Sequence, residues 1–303
     1  MDSLLFSIDL EDWFQLHARS MGHEFWDVSR PVFERQMDSL FGLLDEMRVG
    51  ATFFMLGITV KNYPDIAREV VSRGHEVACH GYGHERVYKL TADTFRADVE
   101  KSIETIQRIT GIRPIGYRAP AFSINRDTVW AYDVLADLGF EYDSSLHDSP
   151  RIRRRISGIP SAGYRMALTS GRSMWEIPVA VAHFGKWVVP VGGGSYWRVL
   201  PKFLLIHGLQ GASERGCVGT YLHPYECDPN SLAVPLPSFA GIGQRIRGAV
   251  SNITSNIGRP KIRARLREVA SRFRLVKYGD AVEQLRTIER SGTRTLSPRG
   301  VVV

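Results

Sequence analysis

From residue 4 to about 145 the chain alternates short apolar runs with amphipathic stretches of roughly ten to eighteen residues, and this alternation predicts β/α units around a parallel sheet. Residues 4–8 and 51–55 read as strands, and between them Val32, Met37, Leu40, Leu43, Leu44 and Met47 recur at helical spacing. The same reading gives helices over 63–73, 91–110 and 126–138 and strands over 75–79, 115–117 and 140–143. Further strands are expected at 174–181, 218–222 and 273–276, and helices at 198–209, 260–272 and 280–289. Residues 147–172 and 228–258 lack clear periodicity and are rich in Pro, Gly, Ser and Arg, so they are expected to be long surface loops, which often carry function. With 303 residues, 44% of them hydrophobic, the chain can bury one full-sized core. A single domain over 1–303 is therefore expected, with its core over about 4–226, closing elements to about 290 and a disordered tail at 297–303.

No run of eighteen apolar residues occurs, and the opening Met1-Asp2-Ser3-Leu4-Leu5-Phe6 lacks a basic leader and a small-residue cleavage site. The expected location is cytoplasmic, with peripheral attachment at the inner membrane face as its variant. Cys79, Cys217 and Cys227 are too few and too scattered for a disulfide framework or a cysteine-rich zinc site. The net charge of +7 is concentrated at Arg151, Arg153, Arg154 and Arg155, and again between Arg259 and Lys277. Such clusters attract anions. We read the first as lying on a rim loop where it would hold an anionic or lipid-linked substrate rather than nucleic acid. In the second, Ile262, Leu266, Val269 and Phe273 mark the buried stripe of an ordinary helix, whose basic residues form the solvated face. Gly192-Gly193-Gly194 lacks the Lys-Ser/Thr that a phosphate loop requires. Oligomeric state leaves no signal in the sequence.

Four segments carry chemistry. In Ser7-Ile8-Asp9-Leu10-Glu11-Asp12 a strand ends in three carboxylates within four residues, a costly arrangement unless a cation is present, and strand ends are where α/β barrels place their sites. His80 and His84 are spaced i, i+4, so one helical turn would aim both imidazoles at a common metal. Arg118, on the Pro-stiffened turn Tyr117-Arg118-Ala119-Pro120-Ala121-Phe122, could hold Asp9 ionised and oriented. His223 closes another expected strand. Together these groups fit amide hydrolysis, with Asp9 taking a proton from metal-activated water and His223 donating one to the leaving amine.

With these motifs assembled, the chain resembles the polysaccharide deacetylase family, the carbohydrate esterases with the NodB homology domain. Its Ser-Ile-Asp-Leu-Glu-Asp-Trp-Phe, His-Gly-Tyr-Gly-His-Glu, Tyr-Arg-Ala-Pro-Ala-Phe, Tyr-Asp-Ser-Ser and Leu-His-Pro-Tyr-Glu segments look most like the branch associated with exopolysaccharide biosynthesis. The resemblance implies a distorted (β/α) barrel of seven or eight strands, and hydrolysis of N-acetyl groups from an N-acetylated glycan or sugar precursor. It implies Asp9 as base, His223 as acid, Arg118 as the residue tethering the base, and His80 and His84 as ligands of a divalent metal. That metal would be zinc, with cobalt, nickel or manganese as substitutes. Leu222 would contact the acetyl methyl, and Ala121, through its N–H, and Phe122 would lie at the substrate and oxyanion position.

The first motif departs from the family's usual pair of adjacent aspartates. Because i and i+2 share a strand face, Glu11 is expected as third ligand, with Asp12 as the alternative. The aspartate that usually tunes the catalytic histidine has no clear match, leaving Asp143, Asp148 and Glu176 as candidates. Two other functions compete with deacetylation: C–N hydrolysis of a small cyclic amide by an allantoinase-like relative, and non-catalytic binding of an anionic glycan.

Overall fold

In a computed structural model, which describes residues 2–20, 26–153, 156–233 and 241–290, eleven strands are assigned. These are β1 Ser3–Leu10, β2 Thr52–Met55, β3 Glu76–Cys79, β4 Gly116–Tyr117, β5 Tyr142–Asp143, β6 Tyr164–Ala167, β7 Ser173–Glu176, β8 Val181–Phe184, β9 Trp187–Pro190, β10 Gly219–Leu222 and β11 Arg274–Val276. The main sheet runs β10-β1-β2-β3-β4-β5-β7-β6, with β11 also on β1. Its pairs are parallel except β6 with β7. The sheet curls. A parallel bridge between Val179, just beyond β7, and Gly219 of β10 brings the β7 side back to β10, with Gly219 N donating to Pro178 O at 2.9 Å and Ala180 N to Gly219 O at 2.8 Å. This is a distorted (β/α) barrel.

β1 is buried from Leu4 to Leu10, because strands lie on both sides of it and side chains cover both its faces. The helix Trp26–Met47 packs Phe33, Met37, Leu40, Phe41, Leu43 and Leu44 into the main core. The helix Ala92–Thr110 starts at a Thr91–Thr94 capping box and stops at Gly111, whose φ of 74° suits a residue without Cβ.

Three expectations change. The strand expected over 174–181 splits into β7 and β8, because the chain leaves β5 after β7, bridges to β10 at Val179 and then pairs β8 with β9 in a separate hairpin. The helix expected over 198–209 is two helices, Gly194–Val199 and Lys202–Glu214, separated at Leu200 and Pro201, where extended backbone and a missing N–H interrupt the ladder. The loops expected at 147–172 and 228–258 contain strand β6 and the fifteen-residue helix Ile242–Asn256.

The second basic cluster divides as its spacing predicts, with Ile262, Leu266, Val269 and Phe273 buried. Several of its cations are nevertheless engaged within the protein. Buried Arg259 donates to the carbonyls of Tyr225, Asp228 and Asn230, Arg263 to Ser39, and Arg267 to Glu46. The other cluster, Arg151 to Arg155, cannot be assigned to the rim: the side chains of Arg151 and Arg153, the residues Arg154 and Arg155, and the tail 297–303 lie outside the described residues.

Candidate active site

Asp9 is the penultimate residue of β1, in register with Phe54. Its Oδ1 accepts a 2.5 Å hydrogen bond from Arg118 Nη1. Arg118 has no exposed surface and spends its remaining donors on Ser7 Oγ, Ser144 O, Ser144 Oγ and Tyr278 OH, with the guanidinium 4.0 Å from the centre of the Phe54 ring. Burial opposes its charge, but the adjacent Asp9 outweighs that effect and raises its pKa above the usual arginine value. A buried cation with this many fixed acceptors has one orientation, and it fixes Asp9 in turn.

β1 ends at Leu10, where Glu11 N turns back onto Asp9 O at 3.0 Å. Glu11 then points into the same space: its Oε2 is 3.1 Å from His84 Nε2 and 3.7 Å from His80 Nε2, and its Oε1 is 3.3 Å from His223 Nε2. Burial alone would raise Glu11, but His84, His80 and His223 hold it well below the usual carboxylate range. Asp12 faces elsewhere. Its Oδ1 accepts from Phe14 N at 3.0 Å, at the start of the helix Trp13–Ser20, and its Oδ2 from Tyr63 OH at 2.8 Å.

The two histidines do not sit on a helical turn. Residues 80–86 form an irregular loop in which Gly81 has φ 78° and His84 φ 59°, so this chain curls to bring the rings together, with centroids 5.6 Å apart. Asp98, which the motif reading did not single out, holds this loop by accepting from Tyr82 N at 2.8 Å and Gly83 N at 3.3 Å.

Glu11, His80 and His84 each offer one ligand atom, and these atoms lie within 4.8 Å of one another. Two observations test the fit to a cation. His80 Nδ1 is 2.8 Å from the carbonyl of Arg118; a carbonyl only accepts, so the proton resides on Nδ1 and leaves the Nε2 lone pair toward Glu11. Glu11 Oε2 is buried without a hydrogen-bond donor. The donor set of one carboxylate and two imidazoles is that of an open zinc-type site.

His223 follows β10 and is partly exposed, and its Nδ1 lies 3.0 Å from Glu226 Oε2. Glu226 is enclosed; Oε2 also accepts from His223 N at 3.0 Å, and Arg198 Nε stands 3.6 Å from Oε1. Burial would depress His223, but the Glu226 hydrogen bond and the charges of Glu11 and Glu226 push it up to about 9. Glu226 thus corrects the expectation of Asp143, Asp148 or Glu176 beside His223. Asp143 accepts from Ser145 N and Oγ and bonds Glu176, Glu176 accepts from Leu146 N, and Asp148 is buried and acts electrostatically on Arg215. The triple glycine makes room for this arrangement: a Cβ on Gly193 would stand 2.7 Å from the Tyr221 ring, and one on Gly194 2.1 Å from Glu226 Oε2.

Ala121 and Phe122 have φ 55° and 51° and, with Tyr221, line a cavity of about 410 Å³ that Tyr196 and Val199 border on its other side. Tyr221 and His223 have ring centroids 5.5 Å apart, which places this cavity next to the histidine. Leu222 is fully buried in the main core and contributes no surface.

These features define a barrel protein with a candidate two-histidine, one-carboxylate cation site at the carboxyl ends of its strands. Residues 26–142 match the family model described as polysaccharide deacetylase, and residues 144–283 match a domain of unknown function (DUF3473). Residues 26–142 are thus similar to the polysaccharide deacetylase family. It is 34% identical over 122 residues to a peptidoglycan deacetylase of Helicobacter pylori, covering 40% of this chain and 41% of that one, and it spans under half the length of such curated relatives. Among solved structures it is similar to a polysaccharide deacetylase from Mycobacterium smegmatis, with TM-score 0.65 and 23% identity over 99% of this chain and 94% of that one. The PuuE allantoinase shares the fold at TM-score 0.60 and 15% identity, over 97% of this chain and 92% of the other.

Proposed function

We propose that the protein hydrolyses N-acetyl groups from an N-acetylated sugar of a bacterial polysaccharide or its precursor, and that it uses a divalent cation held by Glu11, His80 and His84. The observation that carries this reading is the position of Glu11, with one oxygen facing His80 and His84 and the other facing His223. When bound, the cation, zinc by its donor set, would acidify water and polarise the amide carbonyl.

Asp9 accepts the proton of the attacking water, and Arg118 keeps that carboxylate aimed. His223 donates from Nε2 to the departing nitrogen as the C–N bond breaks, releasing acetate and a free amine. Glu226 on Nδ1 sets the ring orientation and favours the protonated imidazole. A cation on Glu11 would offset that residue's share in raising His223 and leave Glu226's share in place. Ala121 and Phe122 border the adjoining cavity, where the sugar would lie.

The two family-matched segments act as one catalytic unit in this reading, because Arg118 of the first contacts Ser144 and Tyr278 of the second. The motif resemblance points to an exopolysaccharide or its lipid-linked precursor as substrate. The test is acetate release from acetylated chito-oligosaccharides, peptidoglycan fragments and lipid-linked acetylated sugars, with allantoin as the cyclic-amide control. Acetate release that needs Asp9 and a divalent cation is expected. Turnover of the ureide alone would assign the site to the allantoinase-like reading, and binding of an anionic glycan without turnover would leave a binding protein.

A further inference from the structure

The helix Ile242–Asn256 packs the reverse of an ordinary surface helix. Its inward positions are small or polar, with Gly248 and Ser255 buried and Ser251 bonded to His17, while its large aliphatic residues face out. Ile242, Ile246, Val250, Ile253 and Ile257 are 79%, 59%, 54%, 64% and 52% exposed. At 3.6 residues per turn these five fall within about 80° of one another, a continuous ridge.

Arg245 and Arg247 are both exposed and project about 100° to either side of the ridge centre by the same spacing. From Pro229 to Arg267 the sequence contains no Asp or Glu. The apolar surface continues toward the active site. Arg198 Nη1 donates to Ser255 O at 2.7 Å, Gly258 abuts the Arg198 backbone, and the next residue, Val199, is 60% exposed and borders the cavity with Tyr196.

We propose that this ridge docks the protein on an anionic phospholipid bilayer, with the aliphatic side chains entering the acyl boundary and Arg245 and Arg247 reaching the headgroup phosphates. An aliphatic strip flanked by arginines is the pattern of a helix lying in a membrane interface. Charge selects this occupant over a second copy of the chain. A symmetric pairing of two such helices would bring four arginines together from segments that carry no Asp or Glu of their own between residues 229 and 267, whereas anionic headgroups supply counter-charge. Docking in this way brings the cavity mouth at Val199 toward the membrane surface, and it stands whether or not the site performs the hydrolysis proposed above.

The test is co-sedimentation of the full chain with vesicles of phosphatidylglycerol and phosphatidylcholine, compared with phosphatidylcholine alone, alongside sedimentation velocity without lipid. Wild type should bind the anionic vesicles at least about tenfold more tightly than the neutral ones, and added salt should weaken that preference. Ile246→Ser/Val250→Ser/Ile253→Ser should reduce binding by about tenfold or more with an unchanged near-UV dichroism spectrum. Arg245→Gln/Arg247→Gln should lose most of the anionic preference, and it carries the test should the serine variant fail to fold. No vesicle binding by wild type, or equal binding by a folded serine variant, overturns the proposal. A wild-type dimer that the serine substitutions abolish, without vesicle binding, overturns it in favour of a second copy.

Discussion

Glu226 lies three residues after His223 and folds back to place its Oε2 3.0 Å from His223 Nδ1, at the first turn of the helix Pro224–Cys227. The same oxygen accepts the His223 backbone N–H, so one carboxylate orients the ring and caps the turn that carries it.

Removing that charge while keeping the shape separates the two roles. Glu226→Gln should lower kcat by roughly ten- to a hundredfold without loss of bound metal. Because Glu226 raises His223, and an acid must be protonated to act, the alkaline limb of the kcat profile should move to lower pH in the variant. An unmoved limb, measured alongside metal content, would leave Glu226 with the cap alone.

The orientations of Glu11 and Asp12 lead to opposite variants. Glu11→Gln should weaken metal affinity by about tenfold or more in a chelator competition, and His80→Ala or His84→Ala should lose the metal altogether. Asp12→Asn should keep the metal with little loss of stability, because an amide oxygen still accepts from Phe14 N at the helix start, whereas Asp12→Ala should keep the metal and lose about 1 kcal/mol. The reverse ranking of metal affinities would place the ligand at Asp12.

Asp9→Asn should retain fold and metal and lose turnover by roughly a hundredfold or more, since an amide cannot take the proton. Arg118→Met should behave differently and lower stability by about 3–5 kcal/mol, because it leaves the buried Asp9 carboxylate unpaired. Activity of Asp9→Asn within tenfold of wild type in the acetate assay would remove Asp9 from the base role.

Asp143 and Glu176 make a buried carboxyl pair. Burial raises both, and the neighbouring Asp143 pushes Glu176 well above the usual range. A carboxyl whose folded pKa exceeds its unfolded value favours the fold while it is protonated, and that contribution is lost as pH rises through the folded value. Wild type should therefore lose stability on the alkaline side. Glu176→Gln stays neutral and can still accept from Leu146 N while donating to Asp143. Its melting temperature should fall less than that of wild type between about pH 5 and pH 9. Parallel pH profiles in thermal melts would count against the shared proton.

Strand ends marked most of the candidate site. Asp9, Arg118 and His223 each stand where an apolar run stops, and a parallel barrel delivers such positions to one rim. The i, i+4 spacing of His80 and His84 marked two rings that do converge, but by another geometry, since Gly81 and the Asp98 carboxylate shape a loop where a helical turn was expected. The helix Ile242–Asn256 escaped notice for a related reason: its apolar period runs along the solvent side, and Gly243, Gly248, Ser251 and Asn252 blur it.

Local covalent order thus determined the alternating elements of this chain, their barrel class, and the residue types available at the strand ends, because hydrophobic period and turn chemistry act over a few residues. Which of those residues meet was decided only by the closed sheet. Arg118 reaches Ser7, Asp9, Ser144 and Tyr278 across separations of 26 to 160 residues. Glu11 rather than Asp12 faces His80, His84 and His223 because β1 ends at Leu10 and the chain turns there. Glu226 becomes the partner of His223 because a short helix folds it back into space that Gly194 leaves open. Such contacts depend on backbone curvature and on room vacated by distant residues, and both exist only once the sheet has closed.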